Sequence, residues 1–372
     1  MKVNVDLLGN GQANGELAQK LLANGKLNPG MMRPFIDPRD QKSYVTFYTG
    51  GDPAKKESYV TQRINANASL RRDEWKQLDD ALLDVSRFRL GGVEDLITNN
   101  LTYNLGNAMG TTVLEYHDVS DAMEAELTMD GLTRGKNDRP DFNFHYLPIP
   151  IIHVDYEINA RELAASRNLG NPLDTIDAQI AGRKVQEKLE TMLFGNTTYA
   201  FGEKGSDGRN SIYSYLNHPD RNLVAIGTHW DLLDYDSTGG HAGEKILNDV
   251  FKMKASSMAD LHQGPWMLYI PSNYELMVDR DYDKTSQGKT IRERIMQING
   301  IKGIKTIDTL PADNVLLVQM TPDVVRLVRG MGIQNVEWKS EGNMVTNYKV
   351  MTIQVPQIRS DYNKRSGIVH MA

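Results

Sequence analysis

Along LDTIDAQIAGRKVQEKLETMLFG, apolar residues return at intervals of three and four: Ile176, Ile180, Ala181, Val185, Leu189, Met192 and Leu193. This spacing predicts one amphipathic helix from Leu173 to Gly195, introduced by Pro172, capped by Asp174 or Thr175 and stopped at Gly195. At about 1.5 Å per residue it reaches roughly 30 Å, the length of a strut across a small domain. Ile176, Ile180, Val185, Leu189 and Met192 are its expected core contacts, and Arg183 and Glu187 are spaced to pair on the wet side. A shorter helical pattern places Trp75, Leu78, Leu82 and Val85 on one face, with Ser69 as cap and Gly91-Gly92 as stop.

Period two replaces period 3.6 further on. In AMEAELTM, Met123, Ala125, Leu127 and Met129 alternate with polar residues, and Ile152, Val154, Tyr156 and Ile158 do so in IIHVDYEI. Two facing strands are expected, separated by a polar tip and the aromatic run Phe142, Phe144 and Tyr146. Pro148 and Pro150 suit only an edge, and a two-stranded ribbon is marginal alone in water, so this excursion needs a neighbour. Met123, Leu127, Arg134, Lys136, Arg139, Phe142, Phe144 and Tyr146 are the candidate intersubunit contacts.

Before residue 69 the chain is rich in Gly, Asn, Pro and charge, with two short helical possibilities, and reads as an arm that lies on something else. From about Leu223 the pattern turns mixed α/β. A helix carries Ile246, Val250 and Met253, WMLYI is a buried strand, Pro271-Ser272 starts another helix, and INGIKGIKTI, NVLLVQM and TPDVVRLV follow as strand and helix pieces. NYKVMTIQV is a last strand before the polar tail RSDYNKRSGIVHMA.

Composition narrows the function. A chain of 372 residues exceeds the usual single core, so two lobes, or one core with large excursions, are expected. A net charge of −6 supplies no general basic field to recruit nucleic acid or an anionic membrane. The absence of cysteine removes disulfides, thiolate nucleophiles and Cys-based metal sites. No segment reaches the roughly 18 apolar residues of a membrane span, and the start lacks a signal-peptide core; a soluble, cytoplasmically made protein is expected.

Chemical motifs fail on inspection. STGGHAGEK puts Glu244 where a phosphate loop needs glycine, GNGQANG has Asn14 at the third glycine of a dinucleotide turn, and QGKT is preceded by Asp283 in place of the first glycine. Asp279, Asp281 and Asp283 open like a calcium loop, but Lys284 and Thr290 replace its turn glycine and bidentate glutamate. His145 and His153 stand alone, and no GxSxG occurs. No catalytic, cofactor-binding or metal-ligating residue is nominated.

In order, SLRRDEW and the helix after it, LPIPIIHVDYEINARELAASRNLGNPLDT, the helix running to FGN, SIYSYLNHPDRN and the ending QIRSDYNKRSGIVHMA resemble tailed-bacteriophage major capsid proteins. The resemblance extends from about Asn65 to the C-terminus. It implies the Hong Kong ninety-seven type capsid fold, an α+β architecture shared in outline with encapsulin shells. The implied parts are an N-terminal arm (1–68), a helical segment (69–118), an extended loop (119–158), a peripheral domain with a spine helix (159–222), an axial domain (223–342), and a C-terminal strand and tail (343–372) returning to their junction. It further implies self-assembly through pentamers and hexamers into an icosahedral head enclosing double-stranded DNA without sequence-specific binding. Its partners would be a portal, a separate scaffolding protein and, in some heads, a decoration protein. The site of assembly would be the host bacterial cytoplasm. Lys136 lies where some relatives cross-link, but no partner asparagine or catalytic carboxylate can be named, so no cross-link is expected. A bacterial or prophage nanocompartment shell of encapsulin type, and a soluble enzyme with its site in the second lobe, are the competing readings.

Overall fold

The computed structural model describes residues 6–7, 13–14, 34–48, 59–63, 70, 74–81, 91–120, 127, 129, 139–161, 164, 175–201, 211–233, 242–282, 289–339 and 345–372. The chain opens with β1 (Asp6–Leu7) paired to β2 (Ala13–Asn14), then a three-stranded antiparallel sheet of β3 (Pro34–Ile36), β4 (Ser43–Tyr48) and β5 (Tyr59–Arg63). The described part of the arm is therefore strand; its two helical possibilities fall outside the described residues. Phe35 packs against a small core of Leu70, Trp75, Leu78, Ala178 and Tyr348, which ties this sheet to α1 (residues 74–81).

Next come α2 (Gly91–Thr98), β6 (Thr102–Asn104), β7 (Val113–Val119), β8 (Phe142–Pro148), β9 (Ile152–Asn159) and the spine helix α3 (Ile176–Phe194). The pair β10 (Tyr199–Ala200) and β11 (Ser211–Ile212) leads to β12 (Asn222–Val224), α4 (Ala242–Ala259), β13 (Trp266–Pro271), α5 (Ser272–Val278) and α6 (Ile291–Met296). The chain ends with β14 (Ile301–Ile307), β15 (Val315–Gln319), β16 (Val325–Lys339), β17 (Val345–Ile358) and β18 (Ile368–Met371).

Two sheets organise the body. The first, in the order β6-β16-β17-β9, carries the spine across β9 and β17. The second runs β12-β18-β15-β13-β14 and is covered on one side by α4. Alternation along β15 decides its packing: Leu316 and Val318 face the core shared with the spine, while Val315 and Leu317 face the core under α4 with Ile246, Val250 and Met253. Met267 and Tyr269 of β13 join Val185, Leu189, Val350 and Ile353 in the first of these cores, so one apolar interior runs through both lobes.

Several expectations need correction. IIHVDYEI becomes β9, whose described partner is β17, from Thr352↔Ile152 to Val345↔Asn159. Of the 123–129 segment only Leu127 and Met129 are described, both fully exposed; the rest of the expected strand lies outside the described residues. Gly91-Gly92 starts α2 where a stop was expected. A Cβ on Gly92 would meet the Phe194 ring at 2.2 Å, so glycine is needed because the helix start abuts the end of the spine. Thr321–Val324 is a single turn feeding β16, since the β-branched and leucine positions after it alternate into a sheet. The ending expected as a polar tail contributes β18, fully buried between β12 and β15.

The spine also departs from its predicted stripe. Val185, Leu189 and Met192 are buried, but Ile176 and Ile180 are 59% and 44% exposed. At about 100° per residue, Ile176 and Ile180 stand roughly 180° and 140° around the helix from Val185, so they cannot share its face. They form an apolar pair on the back of the spine. Gly195 ends the helix in extended backbone with its N–H on the Thr191 carbonyl, not in the left-handed conformation. Arg183 Nε lies 3.6 Å from a Glu187 carboxylate oxygen on the wet side.

This difference in faces yields a paired test. Val185→Asp buries an unpaired charge and is expected to cost about 4 kcal/mol or more, whereas Ile180→Asp should cost on the order of 0.5 kcal/mol. Urea unfolding of the two variants checks this. Equal midpoints would refute the face assignment.

Candidate intersubunit interface

Strands β7 and β8 form an antiparallel hairpin in the register Val113↔Pro148 to Val119↔Phe142. Its faces differ. Leu114, Tyr116 and Asp118 turn inward, while Val113, Val119, Phe142 and Phe144 are exposed. Phe142 and Phe144 are 52% and 58% exposed and flank His117, with ring centroids at 5.6 and 6.4 Å. The result is an exposed aromatic strip along the outer face.

A polar latch sets the inner face. The Asp118 carboxylate, 8% exposed, receives His145 Nε2 at 2.6 Å and has an Arg359 guanidinium nitrogen at 3.9 Å, just beyond the end of β17. Burial pushes the Asp118 carboxyl above its usual range, and His145 and Arg359 pull it part of the way back. The Tyr116 ring stacks on His145 at 5.1 Å, and burial beside Asp118 pushes its phenol up to about 12. A cleft of about 690 Å³ separates this hairpin from residues 211–220 and 356–364; Tyr213, His218 and Lys364 are among the side chains that line it.

The candidate contacts divide accordingly. Phe142 and Phe144 lie on the exposed strip, Tyr146 is half-buried beside them, and Arg139 is exposed before the strand begins. Leu127 is fully exposed. Met123, Arg134 and Lys136 lie outside the described residues. Asp118, His145 and Arg359 went unnominated, although one signal was present: in VLEYHDV, Asp118 shares the period-two face of Leu114 and Tyr116.

The second lobe has an apolar surface of its own. Phe251, Met258, Leu261 and Leu276 are exposed there, and Phe251 borders a cleft of about 560 Å³ also lined by Leu233, Lys245, Asn248 and Lys252. The acidic turn is held internally: Asp279 receives Arg292 Nε, and Thr290 caps α6 by accepting the Glu293 N–H. Among the described residues no three His, Asp or Glu side chains gather as a metal would require. Among the described residues, too, no helix is long and apolar enough to cross a membrane.

A spine laid over one sheet, a second lobe fused through a common core and a projecting hairpin define the Hong Kong ninety-seven type capsid fold. Solved structures agree. A virus-like particle from Pyrococcus furiosus matches with a TM-score of 0.55 at 18% identity, over 80% of this chain and 99% of that one. The capsid of Myoviridae phage XM1 matches at 0.54 and 9% identity, over 76% and 91%; the capsid of the native GTA particle matches at 0.50 and 11%, over 76% and 90%. No curated protein sequence matches. By sequence, the chain belongs to the family of unknown function DUF6260, whose profile matches residues 65–371.

Two histidines near these surfaces give a pH prediction. His218, on the cleft, accepts the Asp220 N–H, and His370 accepts Arg221 Nε at Nδ1 while its Nε2 donates to Asn314. Burial lowers both imidazoles from 6.5 to about 4. With the folded value depressed, the unfolded chain binds protons first, so stability is lost as pH falls from about 6.5 to about 4. Melting temperature should fall over that window, and His370→Gln should flatten the fall. An undiminished slope in the variant would assign it elsewhere.

Proposed function

We propose that this chain is the major capsid protein of a tailed bacteriophage, a coat subunit that assembles with copies of itself into the icosahedral shell around double-stranded DNA. One observation carries the reading: a shell-protein fold over three quarters of the chain bears a hairpin on which Phe142 and Phe144 stay more than half exposed. Such a strip is costly for a monomer and useful for a head-to-tail contact, which closes into rings when its rotation divides a full turn. Repeated modest contacts then hold a shell by multivalency. The role is structural rather than catalytic.

In this reading residues 1–68 are the arm, the hairpin from Val113 to Pro148 is the extended loop, the spine and the β6-β16-β17-β9 sheet form the peripheral domain, and the second lobe is the axial domain. The loop is shorter at its far end than 119–158, because β9 belongs to the body. A portal and a separate scaffolding protein are the partners this reading requires, with a decoration protein as an optional addition, and the virion is its destination.

Electron microscopy with light-scattering mass on the full chain, with a scaffold supplied if needed, is expected to show rings, sheets or closed shells. The double variant Phe142→Ser, Phe144→Ser should melt within a few degrees of the parent, because both side chains are exposed, yet remain as small species. Shells of normal size from this variant would remove the strip from the interface. A stable protomer that never assembles under either condition would reject the coat reading. Particles that carry a protein cargo and no DNA would point to the nanocompartment shell.

A further inference from the structure

The two lobes meet at a buried polar cluster that no surface contact uses. Glu190, on the spine and 5% exposed, accepts the Gly92 N–H at 3.0 Å through Oε1, 98 positions away, and so caps the start of α2 from outside. Its other oxygen, Oε2, is buried without a hydrogen-bond partner, as is the Tyr215 hydroxyl. On the α2 side, Asp95 takes Lys305 Nζ at 2.7 Å from β14 and the Tyr269 hydroxyl at 3.0 Å from β13; Lys305 also reaches the Gly91 carbonyl at 3.2 Å. Phe194, Tyr215 and Tyr269 pack edge and face around the cluster. Spine and α2 therefore meet at the Glu190 carboxyl, and α2 meets the second sheet one turn on at the Asp95 carboxyl.

We propose that Glu190 is a proton-operated pin at this junction: protonated, it holds α2 between the spine and the β13–β14 edge, and ionised, it loosens that contact. Both forms can accept the Gly92 N–H. They differ in what happens to Oε2, which as part of a carboxylate would hold charge while buried and without a hydrogen-bond partner.

The groups around Glu190 decide the balance. Burial opposes its ionisation, the Gly92 and Val93 amides favour it, Asp95 opposes it and Lys305 favours it; the outcome raises the carboxyl from 4.5 to about 7. Glu94 on α2, 4.0 Å from Lys305, adds a further negative charge nearby, and Tyr215 and Tyr269, whose phenols burial raises strongly, stay neutral. With the folded value above the unfolded one, the folded junction holds the extra proton. Its stability therefore falls as pH rises from about 4.5 to about 7, and stays reduced above that.

The device acts within one protomer, so its test stands apart from assembly. Hydrogen exchange at the Gly92 and Val93 amides, corrected for intrinsic rates, is expected to show an opening constant that rises on the order of 100-fold from pH 5 to pH 8. Glu190→Gln keeps an acceptor for Gly92 but cannot ionise, and should remove that rise. Equal pH profiles for variant and parent would overturn the proposal. A second reading needs no variant. Carboxyl-carbon NMR of glutamate-labelled protein should show one carboxyl titrating near neutrality that is absent from Glu190→Gln spectra, and Glu190 titrating with the exposed glutamates would equally overturn it.

Discussion

Everything in the first lobe hangs from the pairing of β17. The strand bonds to β16 along one edge and, from Val345 to Thr352, to β9 along the other, and nine consecutive positions from Val350 to Ile358 are buried. A strand closed on both edges offers no template to a stranger, so the body cannot aggregate through its middle. The same pairing fixes where the spine rests and where the chain must leave the sheet. Beyond Ile358 the backbone delivers Arg359 to Asp118, which makes the lean of the hairpin a consequence of the central sheet.

From that closed centre the chain sends its unsatisfied surface outward. The β7–β8 strip, the back of the spine at Ile176 and Ile180, and the α4 surface around Phe251 and Met258 are three separate apolar patches. A single symmetric dimer would cover one patch with its own copy. Several unlike patches suit heterologous contacts, in which each surface meets a different one on a neighbour. The spine patch is the instructive case. Apolar residues 140° to 180° away from the buried face contribute nothing to the protomer's core, and their presence is intelligible if a neighbour covers them.

Legibility followed the range of the forces involved. The spine, β13, β15 and α4 were readable because their burial follows a period within one segment, and Val185 and Ile246 announce their faces locally. Ile176 and Ile180 misled because an assembly surface uses the same residue types as a core, and a one-dimensional pattern cannot say which cover arrives from the same chain. The described partner of β9 was missed for a related reason: alternation names a face, whereas the choice of neighbour depends on a strand almost two hundred residues later. The order of matched segments carried the fold class. It carried no information about Asp118, Glu190 or Arg359, whose roles arise only where distant segments meet.

The buried titratable groups also act against one another. Between about pH 4.5 and 6.5, His218 and His370 make the unfolded chain the better proton acceptor by two sites, while Glu190 makes the folded chain better by one. The sum of these three groups therefore favours folding as pH rises through that window. Above the ordinary histidine range the imidazoles fall silent, and Glu190 alone governs the slope until it too is ionised, with the opposite sign. For these three groups the balance turns near the ordinary histidine range, and it is set in two places: at the buried histidines of β18 and of the segment after β11, and at the carboxyl where the lobes join. Acid thus acts at the two buried histidines while a rise past neutrality acts at the junction of the lobes, so the two sides of that balance should produce different partly opened forms rather than one common intermediate.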